Sequence, residues 1–409
     1  MPLSARPVWV FPILIALLLS GCPPEDPALP PTLPSLEPGK APLPGPGEPQ
    51  LGPDGHPKQV VRVCVMLPAS GPSKDLGAEM RRGVGIAQKE LMANRDLARV
   101  FEWTEKDTKS TEPGAIGAFT ECFGEGHHVI VGPVHPAGTT ALIPVAASHD
   151  VILMIPEIGA AVPSVWSDNL FAIAPPATEM GRLAGENARR ERALTKAAVL
   201  HVPGVFGENL RDAFITAFTA TPGAEVVAKT ELPPDKPEEW AKAAEDAKAA
   251  GADALFIIGP PEPSKAVAAT YGKDTGGSHA WFVDWSMHPP VLDAAGVAGK
   301  SRVHWVNRAL PAGAFEEEYL ERYQARPEYS AGAAYDAVKL AGLAAATAET
   351  TWHEDVSKTL KAMKDTPGAF GDGNFVMTDG VSYQDVAGYR IIEPVKLPDS
   401  DVWVFGGFR

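Results

Sequence analysis

From residue 59 onward, short apolar runs alternate with longer, helix-like stretches. The apolar runs are VVRVCVML, VFEWTEKD, HHVIVGP, DVILMIP, NLFAIAP, KAAVLHV, AEVVAKTEL, DALFIIGP, HAWFVDW and SRVHWVN. The stretches between them include residues 77–92, 114–123, 178–192, 209–219 and 237–250. Continuously apolar runs suit strands of a parallel sheet that is buried on both faces. Their alternation with helices indicates βαβ units and predicts an α/β fold.

The same rhythm occurs twice along the chain. Residues 115–147 read as a helix, a strand that ends in Gly-Pro, and a second helix, and residues 238–270 repeat this order. Two similar α/β halves explain the repeat most simply. Open α/β sheets bind ligands beyond the carboxyl ends of their strands, so two such halves facing each other would form a ligand cleft.

The first 22 residues have the pattern of an export signal. Arg6 provides a thin positive region, and residues 8–19 are apolar apart from Pro12. This run is too short to span a bilayer, which needs about 20 residues, and it suits the core of a signal peptide. The run ends in LSGC at 19–22, which resembles the bacterial lipobox. We therefore predict a signal peptide at 1–21 and a lipidated Cys22; the alternative is an ordinary signal with a chance cysteine.

Residues 22–58 form a segment of different composition. Thirteen of the 36 residues from 23 to 58 are proline, and apolar periodicity is absent. Such a composition cannot bury a core and favours extended polyproline II, about 3.1 Å per residue, or roughly 110 Å in all. We predict a tether between the lipid and the folded part; a proline-rich motif that binds a partner is the alternative.

Two cysteines remain after Cys22. Cys64 lies in the first predicted strand, and Cys122 lies at the end of a predicted helix. Exported compartments permit disulfides, so a Cys64–Cys122 bridge is one interpretation. Two buried free thiols are the other.

The sequence contains no recognisable catalytic, nucleotide-binding or metal-binding motif. The net charge of −15 argues against a nucleic-acid surface, which needs a basic patch. Gly83 and Gly85 are not followed by the third glycine of a Rossmann fingerprint, and AGKS at 298–301 precedes a strand where a P-loop would open a helix. A Gly-x-Ser-x-Gly elbow is missing, and HED at 353–355 lacks the second histidine of a zinc protease. We therefore expect no enzyme, no cofactor and no metal.

The chain resembles type 1 periplasmic solute-binding proteins, in particular the leucine/isoleucine/valine-binding branch that serves ABC importers. The resemblance starts at LPASGP (67–72) followed by Gly77, which matches the first strand and helix of that family. It continues through DTKSTEPGAIGAF, VIVGP, ALIPVAASHDVILMIP, VFGENLRDAF and AGAAYDAVKLAGLAAA, in family order. It covers about residues 60–392.

The resemblance implies two α/β lobes, joined by three crossing strands, that close on a ligand like a hinge. Lobe one would comprise 59–174 and 307–378, and lobe two 175–306 and 379–409. It also implies a monomer in the periplasm or cell envelope that passes a small-molecule solute to ABC permease subunits.

The family's ligand loops map onto a few positions of this chain. The candidate ligand-binding residues are Leu76, His135, Pro136, Ala137, Thr139, Glu157, Ile158, Gly159, Phe206, Asp284 and Trp285. The serine that the family carries in the first loop falls at Pro136, and the threonine of the second falls near Gly159. The hydroxyl groups with which the family binds an amino-acid carboxylate are therefore replaced at these positions.

Two interpretations of the altered loops remain open. His135 and Glu157 could bind a polar or cationic solute that differs from the family's amino acids, and Trp285 or Trp281 could stack on that solute. Alternatively, they are solvated loop residues, Asp284 is a strand-end cap, and the protein works on an envelope partner without transporting a solute. A hydrolase is a third, weaker reading.

Overall fold

The computed structural model describes most of the chain from Gln59 onward. The described residues are 59–134, 136–156, 167–173, 178–272, 278–283, 302–308, 310–378, 381–384, 389–392, 394–396 and 403–405. The predicted signal peptide, the predicted lipidation site Cys22 and the predicted tether lie outside these ranges.

The first sheet contains seven described strands. Their spatial order is β13-β14-β5-β4-β3-β1-β2, and all neighbours are parallel except β13 and β14. The bounds are β1 Gln59–Leu67, β2 Arg99–Asp107, β3 Val129–Val131, β4 Ile152–Ile155, β5 Leu170–Ala172, β13 Phe375–Thr378 and β14 Val381–Gln384.

The second sheet contains six described strands in the order β15-β10-β9-β8-β6-β7. All pairs are parallel except β10 with β15. The bounds are β6 Lys196–His201, β7 Glu225–Glu231, β8 Ala254–Ile258, β9 His279–Val283, β10 Val303–Arg308 and β15 Tyr389–Ile392. Two small antiparallel pairs are β11 Thr366–Gly368 with β12 Gly371–Gly373, and β16 Pro394–Lys396 with β17 Trp403–Phe405.

Helices connect and cover the strands. Their bounds are α1 Lys74–Ala93, α2 Glu112–Gly124, α3 Pro136–Ala146, α4 Thr178–Glu186, α5 Val205–Thr219, α6 Pro237–Ala249, α7 Pro261–Gly272, α8 Ala314–Tyr323, α9 Tyr329–Thr347 and α10 His353–Ala362. A π-helical turn, Asn187–Glu191, continues α4. Among the helices in these ranges, none is long and apolar enough to cross a bilayer.

Helix α9 is the central helix of the first lobe. Sixteen of its 19 residues are buried, and eight of those are alanine. Small side chains let helix backbones approach closely: a Cβ added to Gly83 of α1 would lie 1.9 Å from the carbonyl oxygen of Ala331. Any larger residue at Gly83 would push α1 and α9 apart.

Each sheet has its own hydrophobic core. One buried cluster joins β1, β3 and β4 to α1, α8 and α9, with Met80, Phe171 and Tyr319 among its members. Separate clusters pack on the two faces of the second sheet around Trp240 and Trp281. Each sheet thus has buried clusters of its own, which gives the two-lobed α/β fold that the sequence predicted.

In the order of the described strands and helices, the chain passes from one sheet to the other three times. It leaves the first sheet after β5 for α4, returns after β10 to α8, and leaves again after β14 for β15. The lobe bounds expected from the sequence stay a prediction. In the structure, β10 spans the expected bound at 306/307. Strand β14, which the expected bound at 378/379 would put in lobe two, pairs with the first sheet. Of the three passages, the structure describes residues 310–313, between β10 and α8.

Cys64 and Cys122 form a disulfide that fastens α2 to β1. Their Cα atoms are 5.9 Å apart, and both side chains are fully buried. The structure therefore confirms the interpretation that these two cysteines form a disulfide bridge.

Candidate functional site

The strand orders place a topological switch point in each lobe. In the first sheet, β1 lies between β2 and β3, so the connections that leave β1 and β3 run to opposite sides. In the second sheet, β6 lies in the same way between β7 and β8. Parallel α/β sheets bind ligands at such switch points, beyond the carboxyl ends of the strands. The candidate site is therefore the loops after β1 and β3 in lobe one, and after β6 and β8 in lobe two.

The loop after β1 is held by one carboxylate at the end of β2. Asp107 Oδ1 accepts the backbone N–H groups of Ala69 at 2.9 Å, Ser70 at 3.1 Å and Lys109 at 2.8 Å. Its Oδ2 accepts the Ser70 hydroxyl at 2.6 Å. Partial desolvation raises the pKa of Asp107, but these hydrogen bonds to the charged form outweigh it, and the net pKa is lowered.

The hydroxyl of Ser110 also links the loop after β2 to the loop after β1. The Ser110 hydroxyl donates to the Ser70 carbonyl at 2.7 Å and accepts the Ser73 N–H at 3.0 Å. Gly71 has φ +84°, and a Cβ there would lie 2.5 Å from the Lys109 carbonyl oxygen. The polar groups of this turn are thus hydrogen-bonded to the neighbouring loop.

The loop after β3 turns its threonine inward. Thr139, in the first turns of α3, is buried, and its hydroxyl donates to the Pro133 carbonyl of the preceding loop at 3.4 Å. Pro136 and Ala137 form the first turn of α3. His135 lies outside the described residues. The same holds for Glu157, Ile158 and Gly159, which follow Pro156 at the end of β4.

In lobe two, the loop after β6 starts from a buried histidine. His201 Nδ1 lies 2.9 Å from the Val202 carbonyl oxygen, and its Nε2 lies 3.4 Å from an Arg211 nitrogen. Gly204, with φ +92°, then opens helix α5. Phe206, a candidate aromatic contact, is half-buried and packs against the core around Trp281. Leu76 in lobe one is likewise half-buried against its own core.

Trp281 is part of the core of lobe two. Its ring is fully buried, its indole N–H donates to Asn187 Oδ1 at 3.0 Å, and it stacks on His304 with ring centroids 4.6 Å apart. The idea that Trp281 stacks on a solute is therefore wrong, because its position in the middle of β9 leaves no exposed face. Asp284 and Trp285 lie outside the described residues.

A surface groove elsewhere on lobe one has a different character. It has a volume of about 670 Å³ and lies at the amino-terminal ends of β4 and β5. Its charged groups pair across it: Lys361 binds Asp168, and His353 Nε2 lies 3.9 Å from Asp150. This is the sheet edge opposite to the one at which α/β proteins bind ligands. Among the described residues, no group of three or more histidine, cysteine, aspartate or glutamate side chains could hold a metal ion.

Sequence reasoning missed Asp107, Ser110 and His201. The DTKST segment at 107–111 and the polar residue that ends KAAVLHV were visible signals, since polar side chains at strand ends often shape a site. The sequence does not show which groups these side chains bind. Asp107, for example, accepts hydrogen bonds from residues that are 37 and 38 positions away.

The fold has many relatives among solved structures. An ABC-type branched-chain amino acid transporter protein from Rhodopseudomonas palustris aligns with a TM-score of 0.71 at 17% identity, covering 85% of this chain and 96% of that one. A solute-binding protein from R. palustris in complex with benzoate aligns at 0.65 and 20% identity, covering 85% and 96%. LivJ from Streptococcus pneumoniae, in complex with isoleucine, aligns at 0.64 and 17%, covering 85% and 99%.

At these identities the solved structures show a shared fold. Comparison with curated proteins gives no match. A family model described as "Periplasmic binding protein" matches residues 60–394, which is most of the chain. The chain therefore belongs to the periplasmic binding protein family.

Proposed function

We propose that the protein is a solute-binding protein of an ABC importer that captures a small polar solute between its lobes. The observation that supports this proposal is the strand order, which puts a switch point in each sheet of a chain of this family. Ligand capture requires no bond chemistry. The lobes would close on the solute about the three passages between the sheets, and the closed form would be delivered to the permease.

The solute class is amino-acid-like or related. Structural relatives are described with isoleucine and with benzoate. In this chain the Thr139 hydroxyl is committed to Pro133, so recognition would depend on other groups. We assign that role to His135 and Glu157 of lobe one and to Asp284 and Trp285 of lobe two, with Leu76 and Phe206 as apolar neighbours.

A thermal-shift screen of the purified protein tests this function. The panel contains branched-chain amino acids, amides, polyamines, short peptides and aromatic acids such as benzoate. A solute at 100 times its Kd stabilises the folded state by about 2.7 kcal/mol, which raises Tm by several degrees. The expected result is one class of hits that is weakened by His135→Ala or Glu157→Ala and kept by Glu245→Ala, a change at an exposed position on α6.

Failure of the whole panel would contradict the solute-binding proposal. It would favour the alternative of an envelope lipoprotein that acts on a protein partner through the same fold.

We also propose that Cys22 carries the lipid that holds the protein at a bacterial membrane. A thioether-linked lipid together with an N-acyl chain would supply the two anchors that stable attachment needs. In a cell that incorporates labelled palmitate, the wild-type chain is expected to be labelled and to sediment with membranes. Cys22→Ser should abolish both, whereas Cys64→Ser should leave both in place. Labelling of the Cys22→Ser chain would contradict the anchor.

A further inference from the structure

The described passage between the lobes rests on two elements of lobe one. Residues 310–313 run from β10 to α8, with Pro311 buried. On one side lies α9, where a Cβ added to Gly332 would come within 3.0 Å of Pro311, Ala369 and Phe370. On the other side lies the segment that joins β11 to β12. These three pieces of chain pack as one unit, which we name the joint: residues 310–313, residues 366–370, and α9 from Gly332 to Asp336.

Asp336 is the polar centre of the joint. It lies one turn after Gly332, on the same face of α9, and it is fully buried. Its Oδ1 accepts the Ala369 N–H at 2.7 Å. The Ala369 carbonyl in turn accepts the Ala312 N–H at 2.9 Å. One buried carboxyl is therefore linked through a single residue to the backbone of the passage between the lobes.

The other oxygen of this carboxyl has no hydrogen-bond partner within the described part of the chain. The β11–β12 segment covers the group closely, since a Cβ on Gly368 would lie 2.5 Å from Oδ1. A buried carboxylate needs several hydrogen bonds or a counter-ion to stay charged. A protonated carboxyl, in contrast, can remain buried with one good hydrogen bond.

The charged groups around Asp336 do little to stabilise its ionised form. On its own helix, Lys339 is engaged with Glu90 of α1 at 2.9 Å and with the Tyr335 hydroxyl at 2.6 Å. Glu90 is itself negative and disfavours a second charge. Residues 310–313 and 366–370 contain no titratable side chain. Burial therefore raises the pKa of Asp336 to about 7, although the hydrogen bond from Ala369 and the charge of Lys339 act against it.

We propose that Asp336 is a pH-sensitive latch on the joint between the lobes. While protonated, it stays buried and holds Ala369, and through Ala369 it holds the passage at Ala312. Once the segment 366–370 moves away, the carboxyl meets water and gives up its proton. Opening of the joint therefore releases one proton, so a rise in pH favours the open joint. The latch does not depend on which solute the protein binds.

Hydrogen–deuterium exchange of the full chain tests the latch. Exchange is followed by mass spectrometry in peptides that cover residues 310–313 and 366–370, and rates are corrected for the intrinsic pH dependence of amide exchange. One released proton makes the opening constant rise tenfold per pH unit. Protection of these peptides should fall about fiftyfold from pH 5 to pH 7, because the dependence levels off as pH approaches the pKa of the buried carboxyl, about 7. A peptide from β8 reports whether the change is confined to the joint.

Two variants sharpen this experiment. Asp336→Asn keeps an acceptor for the Ala369 N–H without a titratable proton, so protection should not change with pH. Asp75→Asn, the same substitution at an exposed position of α1, should behave like the wild type. Protection that falls less than threefold in the wild type, or equally in Asp336→Asn, would overturn the latch. Should Asp336→Asn not fold, a carboxyl titration of Asp336 by NMR decides: an ordinary value near 4 would also overturn it.

Discussion

Replacing both Cys64 and Cys122 with alanine is expected to lower the free energy of unfolding by about 4 kcal/mol. The two cysteines are 58 positions apart, and a closed loop of that length removes about 14 cal/mol/K of entropy from the unfolded chain. The bridge joins the central strand β1 to the helix α2 that covers it, so its loss should act on lobe one as a whole.

Guanidinium unfolding of the double variant and of the wild type measures this difference. The single variant Cys64→Ala should lose about as much as the double variant, because either change breaks the bridge. Wild-type protein under a strong thiol reductant should match them. Equal stability of oxidised and reduced wild type would contradict a stabilising disulfide.

The arrangement of strands could be predicted from the sequence because each strand carries a local signal. All ten runs became strands β1 to β10. The central ones are apolar along their length because they are buried on both faces, whereas the edge strands β2 and β7 also carry charged residues. Helix ends were less certain. The sequence predicted that this helix begins at Asn209, and in the structure α5 begins four residues earlier, at Val205. Its N-cap is Gly204, with φ +92° and no side-chain cap, so the usual polar signal for a helix start is missing.

Other features were hidden because they depend on distant contacts. Residues 178–192 were predicted as one helical stretch, and the structure divides them into α4 and a π-helical turn whose Asn187 binds Trp281, 94 positions away. The late strands β11 to β17 are mostly three or four residues long, too short for a periodic signal. The YDAV segment was visible as a family feature, but the role of Asp336 depends on Ala369, 33 positions later.

The candidate site was predicted less fully than the fold. The turn at LPASGP follows β1, as the resemblance implied, but the groups that hold it, Asp107 and Ser110, lie at and after the end of another strand. The resemblance placed Thr139 at the ligand, and in the structure its hydroxyl donates to the Pro133 carbonyl at 3.4 Å. A hydroxyl binds the nearest free acceptor, and the sequence does not show which acceptor folding brings close.

Replacing Asp336 with asparagine is expected to change how the stability of the whole protein depends on pH. In the folded state the pKa of Asp336 is raised to about 7 from an ordinary value of 3.8. Between these values the folded protein holds a proton that the unfolded chain has lost, so this group lowers the free energy of unfolding as pH rises. The whole effect is about 4 kcal/mol, at 1.36 kcal/mol per pKa unit. It should develop between pH 4 and pH 7 and be constant above pH 7.

Buried histidines act in the opposite direction, so the two chains must be compared. Burial lowers the pKa of His127, His128 and His304, that of His304 to about 3. Below pH 6.5 the unfolded chain therefore binds more protons at these sites, and their contribution to stability rises with pH. Because the histidines are the same in both chains, their contribution cancels in the difference between Asp336→Asn and the wild type.

Chemical unfolding of both chains at half-unit steps from pH 4 to pH 8 measures this difference. Relative to the wild type, Asp336→Asn should gain stability by about 1.4 kcal/mol per pH unit in the middle of the range and should then level off near pH 7. The sign of this pH dependence is more informative than its size. An aspartate held by a salt bridge would make the stability difference change with pH in the opposite direction below pH 4 and not at all above it. A difference between the two chains that is independent of pH would mean that Asp336 is already ionised when buried. In that case the carboxyl would need a partner for its second oxygen, and the joint would be held by charge in place of a proton.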